Sequence, residues 1–118
     1  MSKTIYGRIV NKREFKQIRR DKTLRSQDQD QLIPVFHSPN GLAMMDYFYK
    51  VADGKKFKDK LKRIHKAFGG RGDAYKILFF TTDIDPVVSD ITFRNPPVPN
   101  IREAKFSDKT SIEIIAFL

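Results

Sequence analysis

Tyr75-Lys76-Ile77-Leu78-Phe79-Phe80-Thr81-Thr82 is the most strand-like stretch of the chain. Its β-branched and aromatic residues suit a pleated, buried surface, so it predicts a strand, and a central one. Downstream, Asp83-Ile84-Asp85-Pro86 is turn chemistry and Val87–Phe93 reads as a further strand. Asn95-Pro96-Pro97-Val98-Pro99-Asn100 reads as a loop or an extended edge, because proline cannot donate to a ladder. Ser111-Ile112-Glu113-Ile114-Ile115-Ala116-Phe117 closes the chain as a final strand.

Upstream of the central strand, Gly69-Gly70-Arg71-Gly72 ends a helix over residues 55–68. Phe57, Leu61, Ile64 and Phe68 recur at helical spacing and predict its buried stripe. Lys55, Lys56, Lys58, Lys60, Lys62, Arg63 and Lys66 occupy the other face. Leu42, Met45, Tyr49 and Ala52 mark an earlier helix, entered through the turn Ser38-Pro39-Asn40-Gly41 and broken at Gly54. Leu32–His37 reads as a strand that Pro34 pushes toward an edge or a bulge. Gln27–Gln31 has no periodicity and reads as a loop. Ile5–Val10 is the opening strand. Asn11 then caps a helix reaching about Asp21–Lys22, with Glu14 completing a capping-box pattern and Phe15 and Ile18 on one face.

The resulting order is β-α-β-α-(α)-β-β-β. Helices come early and strands late, which predicts an α+β class: a small mixed or antiparallel sheet with two to three helices. A chain of 118 residues fits a single domain, residues 1–118, with enough apolar material for a core. The absence of cysteine excludes disulfides, thiolate metal sites and cysteine catalysis. His37 and His65 have no metal-ligand spacing around them, so no metal is expected. No apolar run approaches the roughly 18 residues that span a bilayer, and no membrane partner is expected. Met1–Tyr6 lacks the apolar stretch of a signal peptide. These features predict a cytoplasmic site of action, whether the chain is made there or delivered there as an effector.

The net charge is +9, and it is uneven: +11 over residues 1–71 and −2 over residues 72–118. Such asymmetry predicts a surface that faces a polyanion, either nucleic acid or a nucleotide, although a basic helix also serves solubility. Lys55, Lys58, Lys62, Arg63 and Lys66 are the expected contacts. Three further features are candidates for chemistry. Arg8 lies within an apolar strand; it reads either as an outward-facing side chain or as a bidentate phosphate grip. His37-Ser38 ends a strand, where sites tend to sit; His37 reads as a structural residue, a general base, or a donor to a ribose or phosphate. Glu113 is a carboxylate in an apolar strand; alternation places Ile112 and Ile114 on one face and Ser111, Glu113 and Ile115 on the other.

The layout resembles the ADP-ribosyltransferase fold of small bacterial toxin domains. The carriers are Tyr6-Gly7-Arg8-Ile9-Val10 with its following helix, Phe36-His37-Ser38 with its following helix, and Ser111-Ile112-Glu113-Ile114-Ile115. The resemblance implies an NAD-dependent toxin or effector that modifies a protein or a nucleic acid, with NAD as substrate. It implies that Arg8, Tyr6 and Phe36 hold NAD. Ser38, with His37 beside it, would support the nicotinamide ribose, and Glu113 would stabilise the oxocarbenium-like transition state. Many members carry Glu or Gln two residues before the catalytic one, where this chain has Ser111. A toxin would also imply a cognate immunity protein or a host protein as partner. Two other readings stand beside it. A small basic ribonuclease would use His37, His65, Glu113 and the lysines of residues 55–66. A non-catalytic nucleic-acid-binding or interaction protein, such as one of phage or host, would use the basic helix alone.

Overall fold

The computed structural model of the chain describes residues 3–28, 30–93 and 100–118. Among them, β1 (Tyr6–Val10), β3 (Ile33–His37), β4 (Lys76–Thr81), β5 (Val88–Thr92), β6 (Arg102–Phe106) and β8 (Glu113–Phe117) form one sheet in the order β5-β6-β3-β1-β4-β8. Every pairing is antiparallel. The short β2 (Thr23–Leu24) and β7 (Thr110–Ser111) pair separately. The helices are α1 (Lys12–Asp21), α2 (Gly41–Asp53) and α3 (Phe57–Ala67). The class is therefore α+β with an antiparallel sheet, and the long elements come in the expected order.

Two cores lie on the two faces of the sheet. Tyr6, Val10, Leu78 and Phe80 pack with Ile18 of α1 and Leu24 of β2. Ile9, Phe36, Ile77 and Phe79 pack with Met44 and Phe48 of α2 and with Leu61 and Ile64 of α3. This explains the unalternating run in β4. The strand lies between β1 and β8 and is covered on both faces, so Ile77, Leu78, Phe79 and Phe80 are all fully buried.

Four local findings refine the sequence reading. First, β6 was not expected: Arg102-Glu103-Ala104-Lys105-Phe106 holds only two apolar side chains, Ala104 and Phe106, too short an alternation to stand out. Second, α2 turns inward with Met44 and Phe48, while Leu42 is 73% exposed and Tyr49 is exposed. The inward stripe is thus displaced from Leu42, Met45, Tyr49 and Ala52. Third, α3 buries Leu61 and Ile64 fully, with Phe57 and Phe68 half-buried at its ends. Fourth, β3 is an interior strand, between β6 and β1, rather than an edge. The segment from Asn95 to Pro99 lies outside the described residues.

Candidate polyanion interface and the β1–β3 cleft

Pro34 disrupts the sheet without moving its strand to the edge. β1 and β3 pair only at Tyr6–His37 and Gly7–Phe36, and then part. On the other side, Pro34 keeps register with Lys105 of β6. The Pro34 carbonyl faces Arg8 and accepts a bond from Nη1 at 2.6 Å. The nitrogen of the same residue, which carries no hydrogen, cannot complete the ladder on that side. Arg8 fills the gap. Its Nε donates to Glu14 Oε1 at 2.7 Å and its Nη2 to Oε2 at 3.2 Å. The bidentate geometry expected for a phosphate is thus formed with an internal carboxylate. Asn11 caps α1 by accepting from the Glu14 backbone N–H at 2.8 Å, while the Glu14 side chain turns to Arg8.

The parting of the strands leaves a cleft. Its inner part, of about 80 Å³, is bounded by Phe36, Phe68, Phe93 and Glu103. Its outer part, of about 190 Å³, is bounded by Arg25, Gln27, Gln31, Arg71 and Asp73. Arg8, Ile9, Pro34 and His65 border both. The His65 ring lies against Gly70, where any Cβ would overlap it, and its Nε2 is 3.2 Å from the Arg71 carbonyl.

His37 and Ser38 lie away from this cleft, in a recess shared with Lys3, Asn40 and Leu42. The His37 ring meets Tyr6 edge-on at 5.6 Å. Its Nε2 is buried and has no hydrogen-bond partner among the described residues; the Asp90 carboxylate is 3.7 Å away. Burial pushes the imidazole pKa below its ordinary value, Asp90 opposes that shift and Arg102 adds to it. Tyr6, its strand partner, packs in the α1-side core, whereas His65 belongs to α3 on the other side, so the two histidines do not meet.

Glu113 is the first residue of β8, opposite Thr81, with its side chain 72% exposed. Ile112 and Ile114 pack in the α1-side core, so Glu113 projects from the other face, as alternation predicts. Its neighbours are Lys3 Nζ at 3.6 Å and, through that ammonium, Asp83. Lys3 connects Glu113 to the recess of His37 and Ser38, but Arg8 is held elsewhere by Glu14 and Pro34. Arg8, Ser38 and Glu113 do not share one cleft. Tyr6 and Phe36 are buried in the two different cores.

The basic residues of α3 form a surface. Lys58, Lys60, Lys62, Arg63 and Lys66 are exposed, as is Lys55 just before the helix. Among the described residues none of them is ion-paired, and Asp59 is the helix's only acid. Beyond the helix, Arg71 stands at the outer part of the cleft, and Arg13 of α1 lines a neighbouring recess with Arg25. Glu103, Arg25 and Arg71 were not singled out from sequence; Glu103 was hidden because its strand was unread. Compared with known proteins, the chain has no significant match to a family model, a curated protein or a solved structure.

Proposed function

We propose that the protein binds nucleic acid without catalysing a reaction, using the exposed face of α3 and the arginines beside the β1–β3 cleft. The observation that carries this reading is the unpaired basic face of α3. Five cations on an 11-residue helix outnumber its single acid, Asp59, and repel one another, and solvent or an anionic partner offsets that repulsion. A duplex or single strand supplies phosphates at a spacing that several lysines reach together, and releases counterions when they do. The catalytic readings gain no comparable support: Arg8, Ser38 and Glu113 are apart, and so are His37 and His65.

The test is fluorescence anisotropy with short RNA and DNA between low and moderate salt. Wild-type affinity is expected to fall steeply with salt. The triple variant K58E/K62E/K66E should weaken binding and reduce the slope of log K against log salt by about 0.7–0.9 for each phosphate that the variant no longer neutralises. These side chains are exposed, so folding should be little affected. No binding at low salt, or an unchanged slope in the variant, removes the reading.

A further inference from the structure

We propose that the protein takes up single-stranded nucleic acid on a second surface, where an unpaired base stacks on Tyr75 and cations of α1 bind the flanking phosphates. The proposal deepens the nucleic-acid reading, on which it rests, by naming the form of the strand and the ring that meets it.

Tyr75 stands just before β4 and is 40% exposed. Its ring meets Phe15 of α1 edge-on at 5.3 Å, and Phe15 in turn meets Phe117 of β8 edge-on at 4.7 Å. The tyrosine is thus braced by the α1-side core and still open to solvent. A ring already held in place loses little freedom when a base settles on it.

Cations surround this ring. α1 carries Lys12, Arg13, Lys16, Arg19 and Arg20 against two acids, Glu14 and Asp21. Both acids are already engaged, Glu14 by Arg8 and Asp21 by Arg20 and Arg25. Lys12, Arg13, Lys16 and Arg19 are exposed and have no ion pair among the described residues. Lys12, Lys16 and Arg19 recur one turn apart, on the stripe that also carries Phe15. The Arg19 guanidinium lies 6.0 Å from the Phe15 centroid, and Lys76 Nζ lies 5.5 Å from that of Tyr75. Each ring of the pair therefore has a cation beside it.

This combination selects a single strand. In a duplex the base faces are stacked inside, and an exposed tyrosine gains nothing from them. An unpaired base offers a free face, and every base has one, so the surface reads the unpaired state rather than the sequence. Lys76 and Arg19, beside the rings, meet the phosphates that flank the stacked base, and Lys16 and Lys12 carry the strand along α1. α1 and α3 pack on opposite faces of the sheet, so the two basic surfaces can be varied separately.

The test compares a short single strand, as RNA and as DNA, with an abasic strand of equal length, which keeps the phosphates and lacks the bases. By anisotropy at low salt, the intact strand is expected to bind about fivefold or more tightly than the abasic one. Tyr75→Leu should abolish that difference, and Tyr75→Phe should retain it. The chain has no tryptophan, so the emission of Tyr75→Trp reports on this position alone. It should be quenched by the intact strand and not by the abasic one. K12E/K16E/R19E should weaken binding of both strands and flatten the salt dependence. Equal binding of intact and abasic strands by the wild type overturns the proposal, and that comparison needs no variant to fold. A preference that survives in Tyr75→Leu, or a Tyr75→Trp emission blind to the strand, overturns it as well. Binding that depends on Lys58, Lys62 and Lys66 but ignores the bases keeps the α3 reading and removes this surface. A base-dependent binding lost in K12E/K16E/R19E and kept in K58E/K62E/K66E keeps this surface and removes the α3 face.

Discussion

Both carboxylate oxygens of Glu14 are engaged by the Arg8 guanidinium, which also donates to the Pro34 carbonyl. The contact ties α1 to β1 and bridges β1 to β3 where proline interrupts their pairing. Each side chain is about a fifth exposed or less, at 21% and 14%, so neither charge is well solvated if its partner is removed. Glu14→Gln should therefore cost about 1–3 kcal/mol in urea denaturation. The same change frees a cation beside the cleft, so it should tighten oligonucleotide binding and steepen its salt dependence. A stability change under about 0.5 kcal/mol would mean that the pair is incidental.

Gly7 is a packing requirement in the interior of the sheet. The Phe36 ring lies across its backbone, and a Cβ there would overlap the ring edge. Phe36 in turn packs against Phe48 and Phe68, which anchor α2 and the end of α3. Gly7→Ala should push the ring aside and cost about 1–3 kcal/mol or more by overpacking. A thermal midpoint equal to wild type would show that Phe36 has another rotamer available at little cost.

His37 should make stability depend on pH. Its folded-state pKa is lowered below the ordinary 6.5, chiefly by burial. Below pH 6.5 the unfolded chain binds this proton more readily than the native one, so stability falls as pH falls. Above that value both states are neutral at His37 and the contribution is level. Urea midpoints measured from about pH 8 to about pH 5 should drop on the acid side for the wild type. His37→Phe keeps an aromatic ring against Tyr6 and should flatten the curve between about pH 7 and about pH 5. An undiminished slope in that variant would place its source elsewhere.

Where local pattern decides, sequence was sufficient. Asn11 caps α1, the α3 stripe buries Leu61 and Ile64, and Ile112 and Ile114 share a face opposite Glu113. Elsewhere tertiary context prevails. The inward face of α2 is chosen by the aromatic array of Phe36, Phe48 and Phe79, and its own hydrophobicity is too uniform to announce it. The position of β3 follows from pairing with β6, a strand whose charged residues conceal it. The cleft was invisible for the same reason: Pro34, Phe68 and Glu103, which are far apart in the chain, border its inner part together, while Arg71 borders its outer part.

Glu113 gives the clearest separation between binding and catalysis. A carboxylate that stabilises a developing ribose cation must act where water is excluded, because solvent screens the interaction in the transition state as fully as in the ground state. Glu113 is 72% exposed and lies 3.6 Å from the Lys3 ammonium, which opposes its charge further. Under the nucleic-acid reading, NAD should not shift the thermal midpoint and nicotinamide release should stay at background. Glu113→Gln should bind oligonucleotides as the wild type does. It should also change stability by less than about 0.5 kcal/mol, as expected for an exposed ion pair. A wild-type protein that releases nicotinamide, with the activity lost in Glu113→Gln, would reverse the assignment and make the recess of Lys3, His37 and Ser38 the catalytic site.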